Sequence, residues 1–85
     1  MQNIKLDNTY TIVCNWVNTR NGFRHEATLF KGRYGIAFAR ANYLNRTWEE
    51  YEYQTVIHNC LEEYFKGVEL EKYKNLANPY KEVVQ

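Results

Sequence analysis

The chain has 85 residues, 45% of them hydrophobic and 25% charged, a balance that belongs to one small folded domain spanning residues 1–85. It excludes a disordered tail, a collagen-like repeat and a multidomain enzyme, and no apolar run approaches the roughly 20 residues that cross a bilayer. Net charge is only +1, but it is unevenly placed: seven Lys and Arg stand against two Asp and Glu up to Arg46, and four Lys against eight Glu beyond it. Such asymmetry points either to an anionic partner on one side or to a basic sheet and an acidic helix attracting each other within the fold.

Met1 to Asp7 alternates polar with apolar and lacks the basic-then-apolar build of a secretory leader, so a cytoplasmic location is expected. Thr9–Arg20 is rich in Thr, Val, Ile, Tyr and Trp and reads as a strand. Asn21-Gly22 then predicts a two-residue hairpin turn, because both central positions of a type I′ turn need positive φ. The second strand is Phe23–Lys31, with Arg20 opposite Phe23, Trp16 opposite Ala27 and Ile12 opposite Lys31. One face of this hairpin collects Tyr10, Ile12, Cys14, Trp16, Ala27 and Leu29 and is the expected core face.

Gly32 to Gly35 reads as a turn, followed by a third strand, Ile36–Leu44. Its Ala37, Ala39 and Ala41 share one face and leave room for a helix, while Ile36, Phe38 and Arg40 share the other. Thr47 and Glu50 fit a capping box, which starts a helix predicted over Trp48–Lys66 and ending at Gly67. Tyr53, Val56, Ile57, Cys60, Leu61 and Tyr64 form its apolar stripe. Leu70, Tyr73 and Ala77 predict a short second helix within 67–85, broken at Asn78-Pro79.

The expected architecture is therefore α+β. A three-stranded antiparallel meander over 9–44 is covered on one face by a long helix over 48–66, with Trp16, Leu29, Ile57 and Leu61 at the centre. Val13, Val17, Phe30, Ile36 and Phe38 would form an uncovered apolar face. Either Ile4-Lys5-Leu6 adds an edge strand and Leu70 to Val84 folds back over that face, or two copies meet there in a homodimer, the arrangement expected here.

Little in the chain suggests catalysis. Cys14, Cys60, His25 and His58 lack the spacing of a zinc site, and two cysteines are fewer than a disulfide framework uses, so both are expected as buried thiols. The chain contains no Ser, its carboxylate pairs lie on helix surfaces, and Gly32-Arg33-Tyr34-Gly35 lacks the Lys and helix of a phosphate cradle. The expectation is a non-enzyme without cofactor or metal.

Two surfaces suggest binding. On the basic side Arg20, Arg24, Lys31, Arg33, Arg40 and Arg46, interleaved with Phe23, Tyr34 and Tyr43, could follow a nucleic-acid backbone while rings stack on bases; arginines at hairpin tips also serve solubility alone. On the acidic side Trp48, Glu49, Tyr51, Glu52, Glu62 and Glu63 combine negative charge with interface-forming aromatics, or form an ordinary solvated helix face.

The segment Asn45-Arg46-Thr47-Trp48-Glu49-Glu50-Tyr51-Glu52-Tyr53-Gln54-Thr55-Val56, together with Arg20-Asn21-Gly22-Phe23-Arg24-His25, resembles small accessory proteins of bacteriophages and mobile elements of Gram-positive bacteria. That resemblance carries no catalytic motif and no transferable site. It implies a compact inhibitor of a host nuclease or defence complex, such as an anti-CRISPR protein, acting in the host cytoplasm on a protein or nucleoprotein partner. A nucleic-acid-binding module and a small-nucleotide binder are the alternatives.

Overall fold

The computed structural model describes residues 2–44 and 50–77, with the side chains of 3–42 and 54–77. Four strands and two helices follow in chain order: β1 (Gln2–Lys5), β2 (Tyr10–Asn18), β3 (Gly22–Lys31), β4 (Tyr34–Leu44), α1 (Glu50–Glu62) and α2 (Gly67–Leu76). The strands form one antiparallel meander in the order β1-β2-β3-β4. The class is α+β as the sequence suggests, with one strand more than the expected three. The fourth is β1, the edge strand anticipated around Ile4, where Ile4 lies opposite Ile12.

Between β2 and β3 the turn sits one residue earlier than the Asn-Gly signal places it. The Thr19 N–H donates to the Gly22 carbonyl at 2.9 Å, which puts Arg20-Asn21 in the middle of the turn and Gly22 at the start of β3. Every pairing moves by two residues, so each side chain keeps its face while its neighbour changes. Ile12 now meets Leu29 and Cys14 meets Ala27, where the expected register would have set Ile12 against Lys31. Apolar cross-strand pairing in the core outweighs the local preference of Asn-Gly. In the next turn Gly32 takes φ +64, a conformation that glycine adopts without steric cost.

A second departure lies in β4. The β3–β4 register slips between Leu29 and Phe30, making Ile36 the extra residue of a bulge. The bulge turns Ile36 against the core cluster, so it leaves the open face on which strict alternation would place it.

Helix α1 lies across β3 and β4, against Ala37, Ala39 and Ala41. Val56, Ile57, Cys60 and Leu61 are buried, with Leu29 and Ile12 beneath them. The helix ends at Glu62 and does not reach Lys66. Tight closing bonds from Glu63, Tyr64 and Phe65 end it and release Phe65 into the core at 1% exposure. Gly67 has the left-handed φ of +58 expected of it, but it opens α2 and does not cap α1. The capping box at Thr47, the helix start at Trp48, the Tyr53 side chain, the Asn78-Pro79 break and Val83-Val84 lie outside the described residues.

Trp16 is the clearest correction. It stands on the helix-side face as expected, yet 61% of it is exposed, so it is no part of the central core. Its ring meets Phe23 edge-on at 5.5 Å, and Phe23 and His25 are the buried members of that group. Leu29, Ile57 and Leu61 are fully buried, as expected. Both cysteines are buried thiols, and burial pushes Cys60 up to about 12.

The C-terminal helix docks on the same side of the sheet as α1, so its described part does not fold back over the open face. Tyr73 stacks on Phe65 at 4.2 Å between ring centres, and Tyr10 meets both rings edge-on. The Tyr73 hydroxyl donates to Asp7 Oδ2 at 2.7 Å, while Asp7 Oδ1 accepts the N–H groups of Thr9 and Tyr10 at 2.8 Å each. These donors, Tyr73 first, hold the Asp7 carboxyl below its ordinary range, and donation to Asp7 pushes the Tyr73 phenol up to about 12. One carboxylate thus orders the β1–β2 loop and fastens α2 to it.

Candidate functional site

With both helices on one side, the opposite side of the sheet is covered by no described element. Strand alternation supplies its residues in cross-strand rows. One row is Lys5, Thr11, Phe30 and Gly35; the next is Asn3, Val13, Thr28 and Phe38. Beyond the end of β1 follow Asn15, Glu26 and Arg40, then Val17, Arg24 and Asn42. Phe38 is half-exposed at 50%, and Val13, Val17 and Phe30 are half-buried. Phe30 lies over Gly35, where a Cβ would meet its Cε1 at 3.6 Å. Arg24 Nε bonds Glu26 Oε2 at 2.9 Å, and Arg40 stands across from Glu26. The face is an apolar band beside a polar one in which Arg24 is paired with Glu26 and Arg40 occupies the neighbouring strand position.

The six basic residues read from the sequence do not gather in one place. Arg20 is in the β2–β3 turn and Arg33 in the β3–β4 turn beside Lys31, at opposite ends of a ten-residue strand about 30 Å long. Arg24 and Arg40 lie on the open face between them, and Arg46 lies outside the described residues. Phe23, expected to stack on bases, is buried at 2% because its strand position points to the helix side. Tyr34 is 71% exposed, and the Tyr43 side chain is outside the described set.

On the acidic side, Trp48 and Glu49 and the side chains of Tyr51 and Glu52 are likewise outside the described residues. Glu62 is paired with Lys74 at 3.1 Å, and Glu63 is exposed in the turn after α1. Lys72 sits 5.1 Å from the centre of the Tyr73 ring. Lysines are therefore interspersed with the described acids, and the charge there is mixed. His58 contacts Gln54 at 3.3 Å, and burial, reinforced by Lys74, lowers its pKa, leaving it a neutral ring beside this network at pH 7.

At the other end of the sheet, Asn8, Thr9, Lys31, Gly32, Tyr34 and Ile36 line a shallow, mainly apolar groove of about 520 Å³. Among the described residues no three of His, Cys, Asp and Glu come together as metal ligands, and no helix is long and apolar enough to cross a membrane. Trp16 is a surface feature that sequence reasoning missed, whereas Tyr34 is exposed as expected. Nothing local marks Trp16, because its pattern is that of a core residue.

These features define a class, a four-stranded antiparallel meander with both helices on one face and a mixed apolar and charged surface on the other. No family model, curated protein or solved structure matches the chain.

Proposed function

We propose that this is a non-enzymatic binding protein that recognises another protein through the open face of its sheet. The observation that carries this reading is the half-exposed Phe38 beside half-buried Val13, Val17 and Phe30, bordered by Arg24, Glu26 and Arg40. An apolar centre with a charged rim is the composition of a protein interface. A duplex would call for a continuous cationic surface, whereas here Glu26 neutralises part of the arginine charge and the hairpin-tip cations are far apart. The resemblance to phage and mobile-element accessory proteins makes a host nuclease or defence complex the partner of choice, bound and inhibited in the host cytoplasm.

Capture from host extract with three proteins tests this reading. Wild type and a Glu62→Lys/Glu63→Lys variant should retain the same partner, and a Val13→Ser/Phe38→Ser variant of unchanged melting temperature should lose it. Retention by the open-face variant with loss by the glutamate variant would move recognition to the acidic side. Binding that survives nuclease treatment and moderate salt fits a protein partner, whereas a steep loss with salt identifies nucleic acid.

A further inference from the structure

The two edges of the sheet are finished differently, and the hydrogen-bond phase shows how. Thr19 bonds Gly22, and the Gly32 N–H donates to the Thr9 carbonyl at 3.0 Å, so odd-numbered residues of β2 and even-numbered residues of β3 are the bonded pairs. The odd-numbered residues of β3 then direct their N–H and C=O groups to β4, where they meet Ala37, Ala39 and Ala41. Phe38, Arg40 and Asn42 are left with backbone groups aimed away from the sheet, and no described residue bonds them there.

At the opposite edge the same phase aims Trp16 outward, beyond Gln2, the first residue of β1. Its N–H is met at 3.1 Å by the Asn15 side chain, and β1 itself is a four-residue strand carrying Lys5. A short strand, a lysine and a self-supplied acceptor are devices that keep an edge from pairing. Strand β4 has eleven residues, without Pro or Lys, and its bulge at Ile36 lies near one end, leaving Ala37 to Leu44 in regular register.

We infer that β4 pairs antiparallel with β4 of a second copy, joining two sheets into one across a two-fold axis at Ala39. Five axes, at residues 38 to 42, set the outward-facing Phe38, Arg40 and Asn42 against one another; those at Ala41 and Asn42 pair only the C-terminal part of the strand, 38–44 or 40–44. An axis at Arg40 sets Arg40 against Arg40 of the other copy, and like charges directly opposite are destabilising. An axis at Phe38 sets Arg40 against Ile36, where the bulge interrupts the ladder. The axis at Ala39 sets Phe38 of each copy against Arg40 of the other, an exposed ring against an exposed cation, twice. It also places Ala39 against Ala39 in the close, non-hydrogen-bonded position, which a small side chain suits. The open face stays uncovered and is doubled in width; Phe38 and Arg40 belong both to it and to the seam, so the pairing is read from the backbone amides of β4 and not from what the face binds.

Sedimentation equilibrium and amide hydrogen exchange on the full chain test it. The expected result is a dimer in which the amides of Phe38, Arg40 and Asn42 become protected as concentration rises, while those of Ala37, Ala39 and Ala41 are protected throughout. Phe38→Arg puts arginine against arginine and should weaken the dimer by about tenfold or more. The Phe38→Arg/Arg40→Phe swap should restore it, since the ring and the cation only change places. A monomer up to about 100 μM, where even a weak specific dimer would be populated, overturns the inference. So does a dimer whose Phe38 and Arg40 amides exchange as in the monomer, which would place the contact on a face. For wild type the exchange pattern needs no variant to fold.

Discussion

The two faces of the sheet are built from the same four strands and have different surroundings. On the helix side Ile12, Cys14, Ala27 and Leu29 are between 0% and 2% exposed, and each touches a cluster that includes residues of α1 and α2. On the open side no side chain is so deeply buried, and apolar residues alternate with paired charges. The contrast teaches that the face proposed for recognition is separable from the one that holds the fold. A side chain on the helix face can be removed only at a cost to folding, and one on the open face can be changed with little.

The largest expected effect is at Phe65, where α1, α2 and Tyr10 converge. Phe65→Ala should cost about 3 to 5 kcal/mol, a large share of the stability of so small a domain, measured as a shift of the urea midpoint. A midpoint close to wild type would mean that α2 is not part of the cooperative unit.

Next comes pH, through the carboxylate that holds α2. The folded Asp7 pKa lies below the ordinary value of 3.8, so its contribution is present above that pH and is lost as pH falls through the lowered value. Tyr73 rises from 10.0 to about 12, so its contribution is present below pH 10 and is lost as pH climbs through about 12. Melting temperature against pH should fall at both ends, and Asp7→Asn should flatten part of the acid limb. An acid limb identical in wild type and Asp7→Asn would show that other carboxylates govern it.

Trp16→Ala should have the smallest effect, about 1 kcal/mol or less, because the ring is mostly in solvent and loses chiefly its edge contact with Phe23. A loss near that of Phe65→Ala would restore Trp16 to the core.

Much of this fold could be read from the chain. Alternation in β2 and β3 assigns side chains to faces correctly, and the spacing from Val56 to Leu61 gives the buried stripe of α1. Less legible were features decided by tertiary contact. The hairpin register follows Ile12 meeting Leu29 rather than Asn-Gly, and α1 stops early because Phe65 has a pocket to fill. Trp16 has the pattern of a core residue but lies where the described helices leave it exposed. The open apolar face was foreseen through Val13, Val17, Phe30 and Phe38, and Ile36 was lost from it because a bulge breaks the alternation on which such a list depends.

Equilibrium denaturation of two variants side by side tests the separation of faces most directly. Leu29→Ala, on the helix face, should lose about 2 to 5 kcal/mol, while Val13→Ser/Phe38→Ser, on the open face, should lose about 1 kcal/mol or less. Equal losses in the two variants would contradict the account, because the open face would then be holding the fold together rather than being held out for a partner.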